Sequence, residues 1–216
     1  MTTKPLSLEY LIRPSNLSGK APLILMLHGY GSDERDLFSF APELPEKYIV
    51  VSARAPYPLG YGNCWYEINF DEYNDKFNNI DQAIGSRKEI EMFLNELIAN
   101  YPIDATKITF LGFSQGSILS YAVALSHPEK VKQIIALSGY VDESMLVETY
   151  HQNDFSKLRI FSSHGISDQV IPIQWARKTQ LFLEKLQIKH TYKEYPIGHG
   201  VSPQNFQDLK KWLGEG

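Results

Sequence analysis

Cysteine is nearly missing from this 216-residue chain, in which Cys64 stands alone. One thiol closes no internal disulfide, and no Cys/His pairs carry the spacing of a structural zinc site, so a disulfide-stapled scaffold and a zinc-folded one are both excluded. A reducing, cytoplasmic setting fits this composition. Positive charge is also short: 21 Lys and Arg stand against 25 Asp and Glu, a net charge of -4. The basic residues are scattered singly among acids, which leaves no stripe to neutralise phosphates, and nucleic acid is not an expected partner. Long hydrophobic runs are lacking too. The longest, Leu23 to Leu27, is far too short to cross a bilayer, so no stable membrane insertion is expected. The first ten residues have neither the contiguous apolar core nor the small-residue cleavage pattern of a secretion signal. No repeat, low-complexity tract or interdomain linker interrupts the chain, and residues 1–216 read as one domain.

What is present is enough apolar residue, 43% of the chain, to bury one substantial core. Ala21 to Leu27, "APLILML", is apolar without alternation, as in a strand buried on both faces of a parallel sheet. A short helix is expected after "GYGS", with Ser32 or Asp33 as its N-cap. "YIVVSARAP" reads as a second strand. Tyr57 to Asn79, rich in Tyr, Asn, Asp and Gly, has no sustained period and reads as a long functional loop. From Asn79 to Tyr101 the apolar residues recur at helical spacing. Strands at 108–113, 133–137, 158–163 and 190–195 then alternate with helices at 116–125, 173–186 and 203–213. Leu6 to Arg13 is a candidate antiparallel edge strand, and 145–155 a loop with at most a short helix. The alternation predicts an α/β fold with an open, mostly parallel central sheet flanked by helices.

In such a sheet ligands collect at the carboxyl ends of the strands. The segment "KITFLGFSQGSILSYAVALSHP" places Gly112-Phe113-Ser114-Gln115-Gly116 at one of these ends, between a strand and a helix. A G-x-S-x-G turn needs its glycines because a Cβ at either position would crowd the packed strand and helix, and the bend presents the serine hydroxyl alone. The following helix aims free N–H groups at the same point, which favours negative charge on an attacked ester carbonyl; the Gln115 N–H is one expected oxyanion donor. A serine hydroxyl also needs a base and a group to hold that base. His199, in "EYPIGHGVSPQNF", follows the last expected strand and is the candidate base. Asp168, in "RIFSSHGISDQVIP", is the candidate acid, with Asp142 as fallback. His28, His127, His151, His164 and His190 are assigned core, turn or surface roles. The order serine, acid, histidine is that of the α/β-hydrolases. The second oxyanion donor is expected from His28-Gly29-Tyr30-Gly31, through the N–H of Tyr30. Cys64, with no helix N-terminus or cation to activate it, is read as noncatalytic.

These residues resemble the phospholipase/carboxylesterase family of α/β-hydrolases, which includes acyl-protein thioesterases and bacterial carboxylesterases. The match runs through "LHGYGSDERDL", "RAP", "CWYE", "LGFSQGS", "SGY", "HGISDQVIP" and "GHGVSP", nearly the whole chain. The resemblance implies Ser114 as nucleophile, Asp168 and His199 as acid and base, and backbone donors at Tyr30 and Gln115. It also implies an α/β-hydrolase fold without a large cap, and a substrate groove to which Trp65 and Tyr140 contribute. The expected activity is cleavage of carboxylic esters, with lysophospholipids and acyl thioesters in the same chemical class, through an acyl-enzyme and with neither metal nor organic cofactor. The expected partner is a small-molecule or lipid ester; a homodimer is left open. Asp71, Glu72 and Asp75 would disfavour anionic substrates if they faced the entrance. Two other readings are weighed. A noncatalytic ligand-binding protein on a hydrolase scaffold is disfavoured by the intact serine, acid and histidine set. A serine peptidase is disfavoured because peptidases of this scaffold often carry a propeller or cap for which the chain has no room.

Overall fold

The computed structural model describes residues 6–70 and 76–215. Along the chain run β1 (Tyr10–Arg13), β2 (Ala21–Leu27), α1 (Arg35–Phe38), β3 (Ile49–Ala53), β4 (Tyr57–Pro58), β5 (Asn63–Cys64), β6 (Ile68–Phe70), β7 (Lys76–Asn78), α2 (Ile80–Asn100), β8 (Ile103–Phe113), α3 (Gln115–Ser126), β9 (Gln133–Leu137), β10 (Arg159–Gly165), α4 (Ile173–Lys185), β11 (Lys189–Tyr195) and α5 (Pro203–Gly214). Seven strands form the central sheet in the order β1-β3-β2-β8-β9-β10-β11. Only the edge strand β1 is antiparallel to its neighbour.

Strand β2 shows why a continuous apolar run was required. Leu23, Leu25 and Leu27 join the core beneath α2, α3 and α4, whereas Ile24 and Met26 join the opposite core with Leu37 of α1 and Phe206, Leu209 and Leu213 of α5. Successive side chains of a strand face opposite sides, so a strand covered on both has no polar face to show. Helix α2 is capped by Asn79, whose side chain accepts the Gln82 N–H at 3.2 Å. It buries Ile90, Phe93, Leu94 and Leu97, spaced to make a single stripe.

The strand order places the site. From β2 the chain crosses to β3 on one side; it then returns past β2 to β8 and continues to β9, β10 and β11 on the other. Where the direction of winding reverses, the two adjacent carboxyl ends diverge and leave a crevice, here between β2 and β8. Helix α3 packs directly under that crevice, and its whole length is buried. The close approach is set by Gly116, at which an added Cβ would lie 1.9 Å from the Leu27 carbonyl oxygen. That obstacle is backbone and cannot swing aside. Gly116→Ala is therefore expected to destabilise the protein by about 3 kcal/mol or more, read as a lowered urea midpoint; a midpoint equal to that of the wild type would contradict the packing described.

Three features differ from the sequence reading. Strand β8 begins at Ile103 rather than Ile108, because Ala21 pairs with Ile103 before a register shift to the Leu23–Ile108 pair. Residues 57–79 are not a plain loop: β4 pairs with β5 and β6 with β7, each antiparallel. Asp71, Glu72 and Asp75 lie outside the described residues. Neither Ser32 nor Asp33 caps α1, which starts after Glu34 with no side-chain cap. The Ser32 hydroxyl instead donates to Asp36, and Asp33 accepts the Arg35 N–H. Glu34 itself turns inward, its two oxygens accepting from the Arg54 guanidinium at 2.6 and 2.7 Å, which holds its carboxyl below the usual range. The segment 145–155, read as a loop with at most a short helix, agrees with that reading: it holds only the short 3-10 turn Tyr150–Gln152 and the end of another, Glu143–Met145. Among the described residues, no helix is long and apolar enough to cross a membrane.

Candidate active site

Ser114 sits between β8 and α3 with φ 54° and ψ -117°, a backbone state that costs a non-glycine residue on the order of 1–3 kcal/mol unless its surroundings enforce it. They do. The Ser114 N–H donates to Leu137 O at 2.9 Å, and its carbonyl accepts from Ser117 and Ile118 at 3.0 and 3.1 Å. The bend also needs glycine at 112, where a Cβ would come within 2.4 Å of the Gly116 carbonyl oxygen. With both flanks occupied by backbone, the hydroxyl is left to project into the crevice.

His199 follows β11 and Asp168 follows β10, so both reach the same sheet edge. His199 Nε2 lies 3.0 Å from Ser114 Oγ, and its Nδ1 lies 2.7 Å from Asp168 Oδ2. A carboxylate only accepts, so Nδ1 carries the proton and Nε2 is the acceptor facing the hydroxyl. Asp168 has no side-chain exposure. Its Oδ1 accepts the Val170 and Ile171 N–H groups, both at 2.9 Å, which fixes the carboxyl plane. The ring of Phe113 packs against that of His199, with centroids 4.9 Å apart. The fallback acid, Asp142, is held elsewhere, accepting from the backbone and hydroxyl of Ser144.

His164 has a place that the sequence reading did not anticipate beyond the core. Its Nε2 is 2.8 Å from Ile171 O, which only accepts, and 3.3 Å from Asp168 Oδ2. It therefore helps wedge the Asp168 turn from behind. The signal was present as an i, i+4 pair in "HGISD", but only the turn geometry reveals the contact. The remaining histidines are spread out. His28 is buried behind the β2 turn, His190 bonds Ser162 at 2.7 Å, and His127 lies beside Glu91. Cys64 is buried, and loss of solvent pushes its thiol up to about 11. A thiol so raised is not a nucleophile near neutrality. Among the described residues no three His, Cys, Asp or Glu side chains form a metal-holding cluster.

The backbone N–H groups of Tyr30 and Gln115 belong to residues lining the crevice on either side of Ser114. Among the described residues, neither donates to a protein acceptor. Gln115 also opens α3, whose free N–H groups and dipole put partial positive charge at this point.

The crevice is a cleft of about 760 Å³. Ser114 and His199 lie in its wall, and Tyr66, Ile118, Tyr140, Val170 and Trp175 give it an apolar surface. Tyr140, expected in the groove, is there; its ring meets Trp175 edge-on at 4.7 Å. Trp65 corrects the sequence reading. It does not line the cleft but is wholly buried, because its indole N–H donates inward to His28 O and its backbone N–H to Gln115 Oε1, both at 2.9 Å. Its neighbour Tyr66 takes the groove position. Trp175 and Val170 were not singled out from the sequence. The sequence carried no distinguishing signal for them; in the structure each is a large apolar side chain left exposed, 43% for Trp175 and 54% for Val170.

Residues 14–215 match the model of a family described as phospholipase/carboxylesterase. Acyl-protein thioesterase 1 of Saccharomyces cerevisiae is 26% identical over 213 residues, covering 88% of this chain and 90% of that protein. A probable carboxylesterase, SOBER1-like, of Arabidopsis thaliana is 28% identical and covers 88% and 77%. Among solved structures, esterase PE8 superposes with a TM-score of 0.82 at 25% identity, covering 96% of this chain and 98% of its own. A carboxylesterase from Mesorhizobium loti, at 20% identity, shares the fold with a TM-score of 0.84 over 99% and 98% of the two chains. The small sheet, the serine at its bend and the match over nearly the full length lead to one conclusion: the chain belongs to the phospholipase/carboxylesterase family of α/β-hydrolases.

Proposed function

We propose that the protein hydrolyses carboxylic esters and acyl thioesters by acyl transfer to Ser114. His199 Nε2 takes the Ser114 proton as Oγ bonds to the carbonyl carbon, and the carbonyl electron pair moves to oxygen. The oxyanion is met by the N–H groups of Tyr30 and Gln115. Asp168 keeps the imidazole in the required tautomer and stabilises the imidazolium that forms. His199 returns its proton to the leaving alcohol or thiol, and water then repeats the sequence on the acyl-enzyme. What carries this reading is the unbroken chain Ser114 Oγ, His199 Nε2, His199 Nδ1, Asp168 Oδ2, with contacts of 3.0 and 2.7 Å. No resident cofactor enters the scheme.

The cleft wall supports an apolar acyl or aryl group on the substrate, as in a lipid ester or a small aryl ester. The lone buried thiol agrees with a cytoplasmic location for the activity. The test is labelling with a fluorophosphonate probe followed by mass mapping of the adduct. Modification at Ser114, together with turnover of p-nitrophenyl butyrate, is expected. A fully folded protein that stays unlabelled at long exposure would instead be a ligand-binding protein on this scaffold.

A further inference from the structure

The buried Trp65 leaves a question that acyl transfer alone does not answer: why a segment remote from Ser114 in sequence sends its polar groups toward both oxyanion donors. Three hydrogen bonds connect them. The Trp65 indole N–H donates to His28 O at 2.9 Å, the Trp65 backbone N–H donates to Gln115 Oε1 at 2.9 Å, and Gln115 Nε2 donates to Tyr66 O at 2.6 Å. The Gln115 amide is thereby oriented without ambiguity, since a backbone N–H needs an acceptor and a carbonyl needs a donor. The Trp65 carbonyl is bound in turn by the hydroxyl of Ser86 on α2, so the bridging segment is itself anchored to a long helix.

His28 completes the set. Its Nε2 lies 3.0 Å from the Ala55 N. That N–H only donates, so Nε2 is bare and Nδ1 carries the proton, which goes to Gly29 O at 2.7 Å. Burial lowers the imidazole pKa and keeps the neutral ring that this pattern requires. The Gly29 carbonyl and the Tyr30 N–H belong to one planar trans peptide and point in opposite directions. Holding the carbonyl on the His28 side therefore turns the Tyr30 N–H the other way.

We propose that His28, Trp65 and the Gln115 side chain are positioning residues that hold the Tyr30 and Gln115 N–H groups at a fixed separation for the oxyanion. This rests on the acyl-transfer reading above. His28 and Trp65 do not line the cleft, and the Gln115 amide is engaged by Trp65 and Tyr66; the three act through the two backbone donors. Such a frame matters because fixed dipoles stabilise developing charge without reorganising.

The discriminating variant is Trp65→Phe, which keeps a large ring and removes the indole donor. Gln115→Met, similar in length with no polar atoms, is the second variant should the first fold poorly. Rates are taken per active site titrated with fluorophosphonate, so any unfolded fraction drops out. Removing an oxyanion donor outright typically costs about 10²- to 10³-fold, so loosening one should cost about tenfold in kcat, with KM within about twofold. An alkyl trifluoromethyl ketone supplies the readout that a merely structural role would leave still. Ser114 Oγ adds to its carbonyl carbon, the proton passes to His199, and the resulting alkoxide occupies the hole. Its inhibition constant should rise by the same factor as kcat falls. An unchanged kcat per site, or a lowered kcat with unchanged inhibition by the ketone, overturns the proposal. Ser114→Ala, assayed per mole of folded protein because it cannot be titrated with the probe, separates the two levels: if it is inactive while Trp65→Phe matches the wild type, only the positioning frame fails. Full activity in Ser114→Ala defeats the acyl-transfer reading itself.

Discussion

Ser114→Ala is expected to lower kcat for p-nitrophenyl butyrate on the order of 10⁶-fold, toward the small residual rate that binding and the oxyanion site alone sustain. The change should fall on kcat rather than KM. The hydroxyl is one atom in a cleft of about 760 Å³ whose apolar walls remain intact. Stability should hold as well. The only side-chain hydrogen bond of Ser114 among the described residues is with His199, and the bend is held by backbone contacts to Leu137, Ser117 and Ile118 that alanine preserves. The pre-steady-state burst of p-nitrophenol should vanish together with fluorophosphonate labelling. Equal turnover by purified wild type and variant, with matching thermal midpoints, would remove Ser114 from the chemistry.

The parts of this site that could be read from sequence are those fixed by local pattern. Ser114 follows directly on the apolar, β-branched end of β8, Asp168 and His199 lie three and four residues beyond the ends of β10 and β11, and a strand that ends in a turn can deliver a side chain only to one edge of the sheet. "APLILML" announced a doubly covered strand because its neighbours on both faces demand apolar residues. Tertiary choices left weaker traces. Trp65 carries a signal of size and aromaticity that serves a groove and a core equally; the indole partner, His28 O, lies in another segment and decided the matter. The start of β8 was missed because Asp104 to Lys107 are partly or fully exposed and lack a buried period. Strands as short as β4 and β5 have no period to read. At α1, Asp33 fits an N-cap by type, yet the N-cap position falls to Glu34 and the Asp33 side chain is taken locally by the N–H of Arg35, the first residue of the helix. Such local bonds compete with capping on nearly equal terms.

Asp168→Asn should cost about 10⁴-fold in kcat with little loss of structure, and the reason lies in which oxygen is replaced. Oδ1 accepts two backbone N–H groups, from Val170 and Ile171 at 2.9 Å each. An amide nitrogen at that position would face two donors, so the asparagine must keep its carbonyl there and place its NH₂ at the Oδ2 position, against His199 Nδ1. That nitrogen now meets a donor instead of an acceptor. The imidazole answers by moving its proton to Nε2, which then points a hydrogen at the Ser114 hydroxyl and can no longer take one from it. His164 cannot compensate, since its Nε2 proton is engaged by Ile171 O at 2.8 Å. Two measurements check this. The rate of the variant should recover at alkaline pH, where hydroxide replaces the missing base, and histidine nitrogen shifts in an NMR spectrum should report the exchanged tautomer at His199. A variant that retains the Nδ1–H tautomer and wild-type kcat would show that Asp168 does not govern the state of the imidazole.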